Sequence, residues 1–297
     1  MPTPTYNQPS KRQVRSRILG QAVTALTTAR NHSSIVRGDE FRETLNYAAA
    51  LLQRFNVTRK LVKNLDSETE LWREFHATQI GQRTPRDLKV LYLCGPEPVN
   101  DLEVLLSLGI IPQNIWAIES QDNLYRGAID QLRLHGSYIR VHNGKLEQFF
   151  NTVNERFDII YIDACGPLPS AKSNTLRLLI AMVQHERLAP LGALITNFAE
   201  PNSANYDCYV ELMSQYFAPR YNDCPRVLID DGVDPCVAHS DIKYLKQYVS
   251  KHVTTVYSDF VTRFLVDIVR NIVPQWRICN YPACTDESQL VALTRRP

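Results

Sequence analysis

The amino-acid sequence predicts an α/β fold with a doubly wound, mostly parallel sheet and an N-terminal helical extension. The central observation is a strand, a turn, a helix and a second strand within residues 88–119. Apolar runs then alternate with helical patterns as far as residue 217, and strands that are apolar throughout are typical of parallel sheets buried on both faces. Residues 1–85 carry only helical periodicity. We therefore expect an extension over residues 1–85 and a main domain over residues 86–297.

Three amphipathic helices are predicted in the extension. Apolar residues recur at every third or fourth position within residues 11–30, 39–62 and 68–80. Asp39 can cap the second helix, and acids at the start of the third helix suit the positive end of its dipole. These helices can cover the sheet or build one wall of a substrate cleft.

Strands and helices alternate through the main domain. The strands are predicted at residues 89–94, 114–119, 137–142, 157–163 and 192–198. The helices are predicted at residues 100–108, 122–134, 145–154, 173–188 and 204–217. Beyond residue 219 the pattern weakens to a short strand at 226–229, one or two helices within 241–270 and a closing strand at 276–279.

The composition is that of an ordinary globular protein. Hydrophobic residues make up 44% of the chain and charged residues 22%, which excludes the disordered class. No stretch reaches the roughly 18 apolar residues of a membrane span, and the polar N-terminus lacks the apolar core of a secretory signal. We expect a cytoplasmic protein with reduced thiols, because seven cysteines are too few for a dense disulfide framework in 297 residues.

Positive charge is concentrated near the N-terminus. Residues 1–60 contain ten Lys or Arg and three acids, although the whole chain has a formal net charge of only +2. A basic arm can attract phosphates through counterion release, which makes nucleic acid a candidate partner, but a solubilising tail is the simpler interpretation.

The turn after the first predicted strand restricts the ligand. Dinucleotide sites use three glycines so that the backbone can approach a pyrophosphate and offer it free N–H groups. Here Gly95 is followed by Pro96 and Pro98, which lack backbone N–H donors. NAD and FAD are therefore disfavoured, no P-loop motif is present, and a ligand with an adenosine but no phosphate suits the turn better.

Residues 88–200 resemble the class I S-adenosylmethionine-dependent methyltransferases, which have a Rossmann-like fold. The resemblance is carried by the first strand and turn at 90–96, the acid ending the second strand at 115–119, the polar residue after the third, and the motifs at 157–163 and 188–195. Tyr92 stands where the family usually has an acid. The resemblance implies S-adenosylmethionine as cofactor, and it implies these cofactor-binding residues: Cys94, Gly95, Pro96, Glu119, Asn143 and Asp163. We expect no metal site.

Three of these positions can also be explained without a ligand. A carboxylate at Glu119 can accept charge-assisted hydrogen bonds from a ribose diol, or it can be a solvated acid at a strand end. Asn143, implied to meet the adenine amine, precedes a glycine and can simply make a turn. Asp163 is the candidate catalytic residue, as a general base or as the group that orients the acceptor, and its alternative role is to cap the next turn.

Cysteine and tyrosine patterns offer weaker candidate sites. Cys165 distantly resembles the nucleophile of enzymes that add a thiolate to a pyrimidine ring, although a buried thiol is the simpler interpretation. Four further cysteines are spaced too loosely for a typical zinc site, namely Cys224, Cys236, Cys279 and Cys284. Four tyrosines, Tyr206, Tyr209, Tyr216 and Tyr221, can stack on nucleic acid or pack at the rim of a core.

The sequence thus predicts methyl transfer from S-adenosylmethionine to an unidentified acceptor, with nucleic acid as one candidate. Such a transfer depends mainly on aligning the attacking atom with the methyl group, so it requires no nucleophilic triad. The alternative is a non-catalytic Rossmann-like module that binds a protein or nucleic-acid partner, which Pro96 and Pro98 favour, whereas Glu119 favours the enzyme.

Overall fold

The computed structural model describes residues 9–30, 81–164, 166–220 and 241–272, the backbone of residues 276–280 and 289–295, and isolated helical positions between residues 43 and 78. The α-helices are α1 (Pro9–Leu26), α2 (Val99–Ser107), α3 (Asp122–His135), α4 (Leu146–Thr152), α5 (Thr175–Gln184), α6 (Tyr206–Phe217), α7 (Ile242–Lys251) and α8 (Val253–Ile272). The strands are β1 (Val90–Leu93), β2 (Ile115–Glu119), β3 (Arg140–Asn143), β4 (Phe157–Ala164), β5 (Leu188–Phe198), β6 (Trp276–Asn280) and β7 (Gln289–Arg295).

One seven-stranded sheet organises the molecule, in the order β3-β2-β1-β4-β5-β7-β6. The first five strands of this order are parallel, and β7 is antiparallel to both β5 and β6. The order reverses between β1 and β4, which makes that junction the topological switch point where open α/β sheets bind ligands. The doubly wound, mostly parallel sheet predicted from the sequence is confirmed.

Both faces of the sheet are buried, as the unbroken apolar strands predicted. Leu91 of β1 and Ile160 of β4 belong to a core shared with α4, α5, α6, α7 and α8, whereas Val90 and Ile159 belong to a core shared with α1, α2 and α3. Neighbouring residues along a strand face opposite sides, so each apolar strand contributes to both cores. The strands are therefore held rigidly enough to position side chains at their tips.

The helical N-terminal extension is represented by α1, which packs on α2 and β5. Its apolar residues lie in the same core as β1, namely Ile18, Leu19, Ala22, Val23 and Leu26. Apart from isolated positions, the second and third predicted helices lie outside the described residues, and the boundary at residue 85 stays a prediction.

Some element limits differ from the sequence predictions for physical reasons. Strand β3 begins at Arg140 rather than at residue 137. Its partner β2 is preceded by a 3₁₀ turn at residues 112–114, so the residues just before Arg140 have no strand to pair with. Strand β5 begins at Leu188, the last residue of the predicted fifth helix, and Pro190 lies where the pairing of β5 with β4 is irregular. A bulge accommodates a proline because it needs no ladder hydrogen bond there.

The C-terminal part matches its prediction with one addition. The helices α7 and α8 confirm the prediction of one or two helices within residues 241–270, and β6 confirms the closing strand. The sequence interpretation missed β7, although its apolar run from Leu290 to Leu293 is a strand signal. The strand predicted at 226–229 lies outside the described residues.

Candidate functional site

A cavity of about 780 Å³ lies at the carboxyl ends of β1, β2 and β4. Its lining includes the turn after β1, the tip of β2, the residues after β3 and the tip of β4. One wall is supplied by α1, through residues that include Arg15 and Ile18. Small-molecule sites typically measure about 300–1,000 Å³, so the cavity suits a ligand of cofactor size at the switch point of the sheet.

The turn after β1 opens directly onto the cavity. Gly95 has φ +54°, and a Cβ added to it would meet no heavy atom within 4 Å. Pro96 also lines the cavity, and its carbonyl accepts a 2.9 Å hydrogen bond from Gln131 Nε2 on α3. The backbone is thus accessible to a ligand, while the prolines leave few N–H groups with which to bind a phosphate.

The two prolines explain why a tyrosine occupies the position before this turn. An acid at position 92 would need backbone N–H groups that donate hydrogen bonds to its carboxylate, and Pro98 has no N–H. Tyr92 is fully buried and instead donates from its hydroxyl to the Pro98 carbonyl at 3.0 Å. The Tyr92 hydroxyl therefore ties the strand to the turn without needing an N–H donor from Pro98.

Glu119 stands at the tip of β2 and lines the cavity. The residue is 7% exposed, and its Oε1 accepts a 2.9 Å hydrogen bond from the Gln121 backbone N–H. No hydrogen bond from any residue in the described parts of the chain reaches Oε2. A buried carboxylate with an unused oxygen beside a cavity is an acceptor for a ligand hydroxyl.

Asn143 does not line the cavity. It pairs with Glu119 in the β2–β3 register, but its side chain is exposed and donates to Asp122 Oδ1 at 2.7 Å. The next residues, Gly144 and Lys145, line the cavity instead. The adenine contact implied for Asn143 stays a prediction.

Asp163 lies at the tip of β4 and faces the cavity. Its Oδ1 accepts a 2.9 Å hydrogen bond from Asn197 Nδ2, from the neighbouring position on β5. This bond orients the carboxylate. The Asp163 side chain is exposed. The structure therefore brings Glu119, Gly95, Pro96 and Asp163 together around one cavity.

Cys94, the remaining implied cofactor-binding residue, is buried at the start of the turn and also lines the cavity. Burial and, second to it, the nearby Glu119 charge raise the pKa of its thiol to about 12. The thiol therefore stays protonated at neutral pH and offers a ligand a small apolar surface rather than a nucleophile.

A buried group of charged and polar side chains beside Asp163 was missed at the sequence level. Arg15 Nε of α1 lies 2.5 Å from Asp101 Oδ1 of α2, in an ion pair whose N–H is not aligned for a hydrogen bond. Tyr161 of β4 completes the group, and all three side chains line the cavity. A signal was present, because Arg15 precedes Ile18 and Leu19 by three and four positions and so falls on the apolar face of its helix.

This group has unusual protonation behaviour. Burial raises the pKa of Asp101 to about 6; the Arg15 cation opposes the rise and the Asp163 charge adds to it. Burial also raises the pKa of the Tyr161 phenol, with the Asp101 charge as the second cause. The cavity wall beside Asp163 therefore carries a carboxyl that titrates close to neutrality.

The basic arm is partly turned inward. Arg15 forms its ion pair with Asp101. Arg30 is buried and donates to the Leu26 carbonyl at 3.2 Å. Neither side chain is available at the surface for a phosphate backbone. Lys11 and Arg12 remain exposed on α1.

The cysteine and tyrosine candidates give little support for a second site. Cys165, Cys224, Cys236, Cys284 and Tyr221 lie outside the described residues, and only the backbone of Cys279 is described. Within the described ranges there is no group of three or more His, Cys, Asp or Glu side chains that could hold a metal. The remaining tyrosines of the series pack within the C-terminal helices, where Tyr209 is buried.

A search of the described helices finds none long and apolar enough to cross a membrane.

Comparison with known proteins gives matches only at the level of structure. No protein-family model and no curated protein matches the sequence. A Staphylococcus aureus protein proposed to be a caffeoyl-CoA O-methyltransferase is 15% identical, with a TM-score of 0.37 over 84% of this chain and 99% of that chain. PKMT2 from Rickettsia typhi is 12% identical (TM-score 0.41; 72% and 49% of the two chains), and an rRNA methylase from Streptococcus thermophilus is 13% identical (TM-score 0.37; 71% and 89%).

The Staphylococcus and Streptococcus proteins are named as methyltransferases, the class that the sequence resembles. At such identities the likeness concerns the fold, and the function of this chain has to be argued from its own residues.

Proposed function

We propose that the cavity binds S-adenosylmethionine and that the protein transfers its methyl group to an acceptor. The observation that carries the proposal is the buried Glu119 carboxylate, whose Oε2 receives no hydrogen bond from the described residues and lies beside a turn that cannot cradle a phosphate. A ribose diol without phosphates matches both features, because it donates hydroxyl hydrogens and needs no backbone N–H groups.

The residues around the cavity fit the parts of this cofactor. Glu119 would accept from the ribose, and the open backbone at Gly95 would lie against the amino-acid end. Gly144 and Lys145 border the region assigned to the adenine. When bound, the cofactor supplies an electrophilic methyl group.

Asp163 is the proposed catalytic residue. Its carboxylate faces the cavity and is oriented by Asn197. In that place it can accept a proton from the acceptor or hold the acceptor in line, and orientation alone accounts for much of the acceleration of such transfers. The apolar Cys94 surface and the α1 wall help to exclude water from the same space.

Calorimetric titration with S-adenosylmethionine and S-adenosylhomocysteine tests the cofactor assignment. Glu119→Gln keeps the shape but replaces charge-assisted hydrogen bonds by neutral ones. We expect a loss of about 1–2 kcal/mol, or roughly 5- to 30-fold in Kd. Glu155→Gln removes a similar charge from a surface pair with Lys89 and serves as the control.

The titration has clear alternatives. Absence of binding by the wild-type protein would exclude the cofactor assignment and favour the non-catalytic module. Unchanged affinity in Glu119→Gln would remove Glu119 from the ribose site. Binding of NAD⁺ with comparable affinity would contradict the argument from Pro96 and Pro98.

Methyl transfer itself is tested with cofactor labelled with tritium in the methyl group. The label is followed into separate small-molecule, protein and nucleic-acid fractions. Transfer that disappears in Asp163→Asn, while cofactor binding persists, supports the catalytic role. Binding without transfer into any fraction would favour the non-catalytic alternative.

A further inference from the structure

The loop after β4, residues 166–175, forms the side of the cavity next to Asp163. Lys172, Ser173, Asn174 and Thr175 from its second half line the cavity. In the proposed reaction this side faces the acceptor, because Asp163 precedes the loop and the ribose site at Glu119 lies on a different strand. The position of the loop therefore affects where an acceptor can bind.

The loop is closed on itself by one threonine. Thr175 is 2% exposed, and its hydroxyl accepts from the Ser170 backbone N–H and donates to the Pro167 carbonyl, both at 2.9 Å. Ser173 N–H donates to Ser170 Oγ at 3.1 Å. These bonds fix the curvature of the loop and join it to the first residue of α5.

Two tyrosines attach the back of the loop to the C-terminal helices. Tyr257 of α8 accepts a 2.5 Å hydrogen bond from the buried Leu168 backbone N–H. Tyr209 of α6 donates its hydroxyl hydrogen to the Pro169 carbonyl. The two rings contact each other edge to face, with centroids 6.0 Å apart. Adjacent backbone groups of the loop are thus held by two different helices that also pack on each other.

Packing alone does not require these hydroxyls. A phenylalanine would fill the same space at both positions, but it would leave the buried Leu168 N–H and the Pro169 carbonyl without partners. Burial also raises the pKa of both phenols, so the hydroxyls stay protonated at neutral pH. The two tyrosines therefore act on the backbone of the loop.

We propose that Tyr209 and Tyr257 are positioning residues that hold the 166–175 loop as a fixed wall on the acceptor side of the cavity. This inference rests on the proposed function for the identity of the acceptor side. It gives the C-terminal helices a part in the site although they contribute none of the candidate site residues. The two hydroxyls form a clamp on the backbone of Leu168 and Pro169. Residues 172–175 of the same loop line the cavity.

Hydrogen exchange of backbone amides, followed by mass spectrometry, tests the clamp. In Tyr209→Phe and Tyr257→Phe we expect amides of residues 166–175 to exchange about fivefold faster for each hydroxyl lost, and more in the double variant. Tyr216→Phe is the matched control, because it removes a half-buried hydroxyl bonded to Asp267 at 2.7 Å elsewhere in the same helical layer.

Ligand binding separates positioning from a purely structural role. S-adenosylhomocysteine should protect the loop in the wild type and in Tyr216→Phe, and this protection should be reduced in the double tyrosine variant even where the melting temperatures are equal. Exchange of residues 166–175 that is the same in all variants, or ligand protection that is unchanged, would overturn the inference. Failure of the wild type to bind the ligand would count against the proposed function, while exchange of the free protein would still decide whether the clamp exists.

Discussion

Asp101 is the side chain whose titration tests the electrostatics of the cavity most directly. The informative change is Asp101→Asn, which keeps the shape and removes the titratable group. Burial raises the pKa of Asp101 to about 6, against the opposing effect of the Arg15 cation. An aspartate in an unfolded chain has a pKa of about 3.9, so the folded protein holds this proton more tightly than the unfolded chain does.

The direction of the pH effect follows from this difference. The stability that the tightly held proton provides is fully present below about pH 4 and is lost as the pH rises through about 6. The two pKa values differ by about two pH units, which corresponds to roughly 3 kcal/mol. The wild type should therefore lose up to about 3 kcal/mol relative to Asp101→Asn between pH 4 and pH 7.

Urea denaturation of both proteins across this pH range measures the difference in the free energy of unfolding. A constant offset is expected because the variant leaves Arg15 without its partner, so the slope with pH is the informative quantity. Arg15→Met should move the window to higher pH, since the Arg15 cation lowers the pKa of Asp101. A wild type that gains stability relative to Asp101→Asn as the pH rises would show that the ion pair outweighs burial, and it would refute the reasoning.

Two further predictions concern the Arg83–Asp158 ion pair and the Cys94 thiol that lines the cavity. Arg83→Met should destabilise the fold by about 3 kcal/mol in denaturation experiments, because Asp158 is 3% exposed and loses its ion pair. The control Lys89→Met removes an exposed pair and should cost less than about 1 kcal/mol, and equal losses would contradict the argument from burial. Cys94 should be alkylated at pH 8 at least about 100-fold more slowly than the exposed Cys208, as followed by peptide mass spectrometry, because only the thiolate reacts. Similar rates would show that Cys94 is accessible.

Much of the candidate site could be predicted because its residues lie in short segments whose properties are local. Glu119 and Asp163 end apolar runs, and the carboxyl ends of parallel strands meet at one edge of the sheet. The missing N–H donors of Pro96 and Pro98 are properties of the residues themselves. No knowledge of the packing was needed to expect Glu119, Asp163 and the turn after β1 at the same edge of the sheet.

Asn143 shows the limit of this reasoning. It follows the third strand at the expected position, yet its side chain bonds to Asp122 rather than facing the cavity. The choice between those two directions depends on a residue 21 positions away. A motif gives the location of the backbone, whereas the neighbours decide where the side chain points.

The sequence by itself determined the alternation of elements, the parallel sheet and the acids at its strand tips, because these follow from local periodicity and residue chemistry. Tertiary structure alone decided that Arg15 of the N-terminal helix pairs with Asp101 and that Tyr257 holds Leu168 from a distant helix. These contacts join residues 86 and 89 positions apart. Such pairs form only when helices pack on a common sheet, so their identity depends on the packing of the whole chain rather than on any one stretch of it.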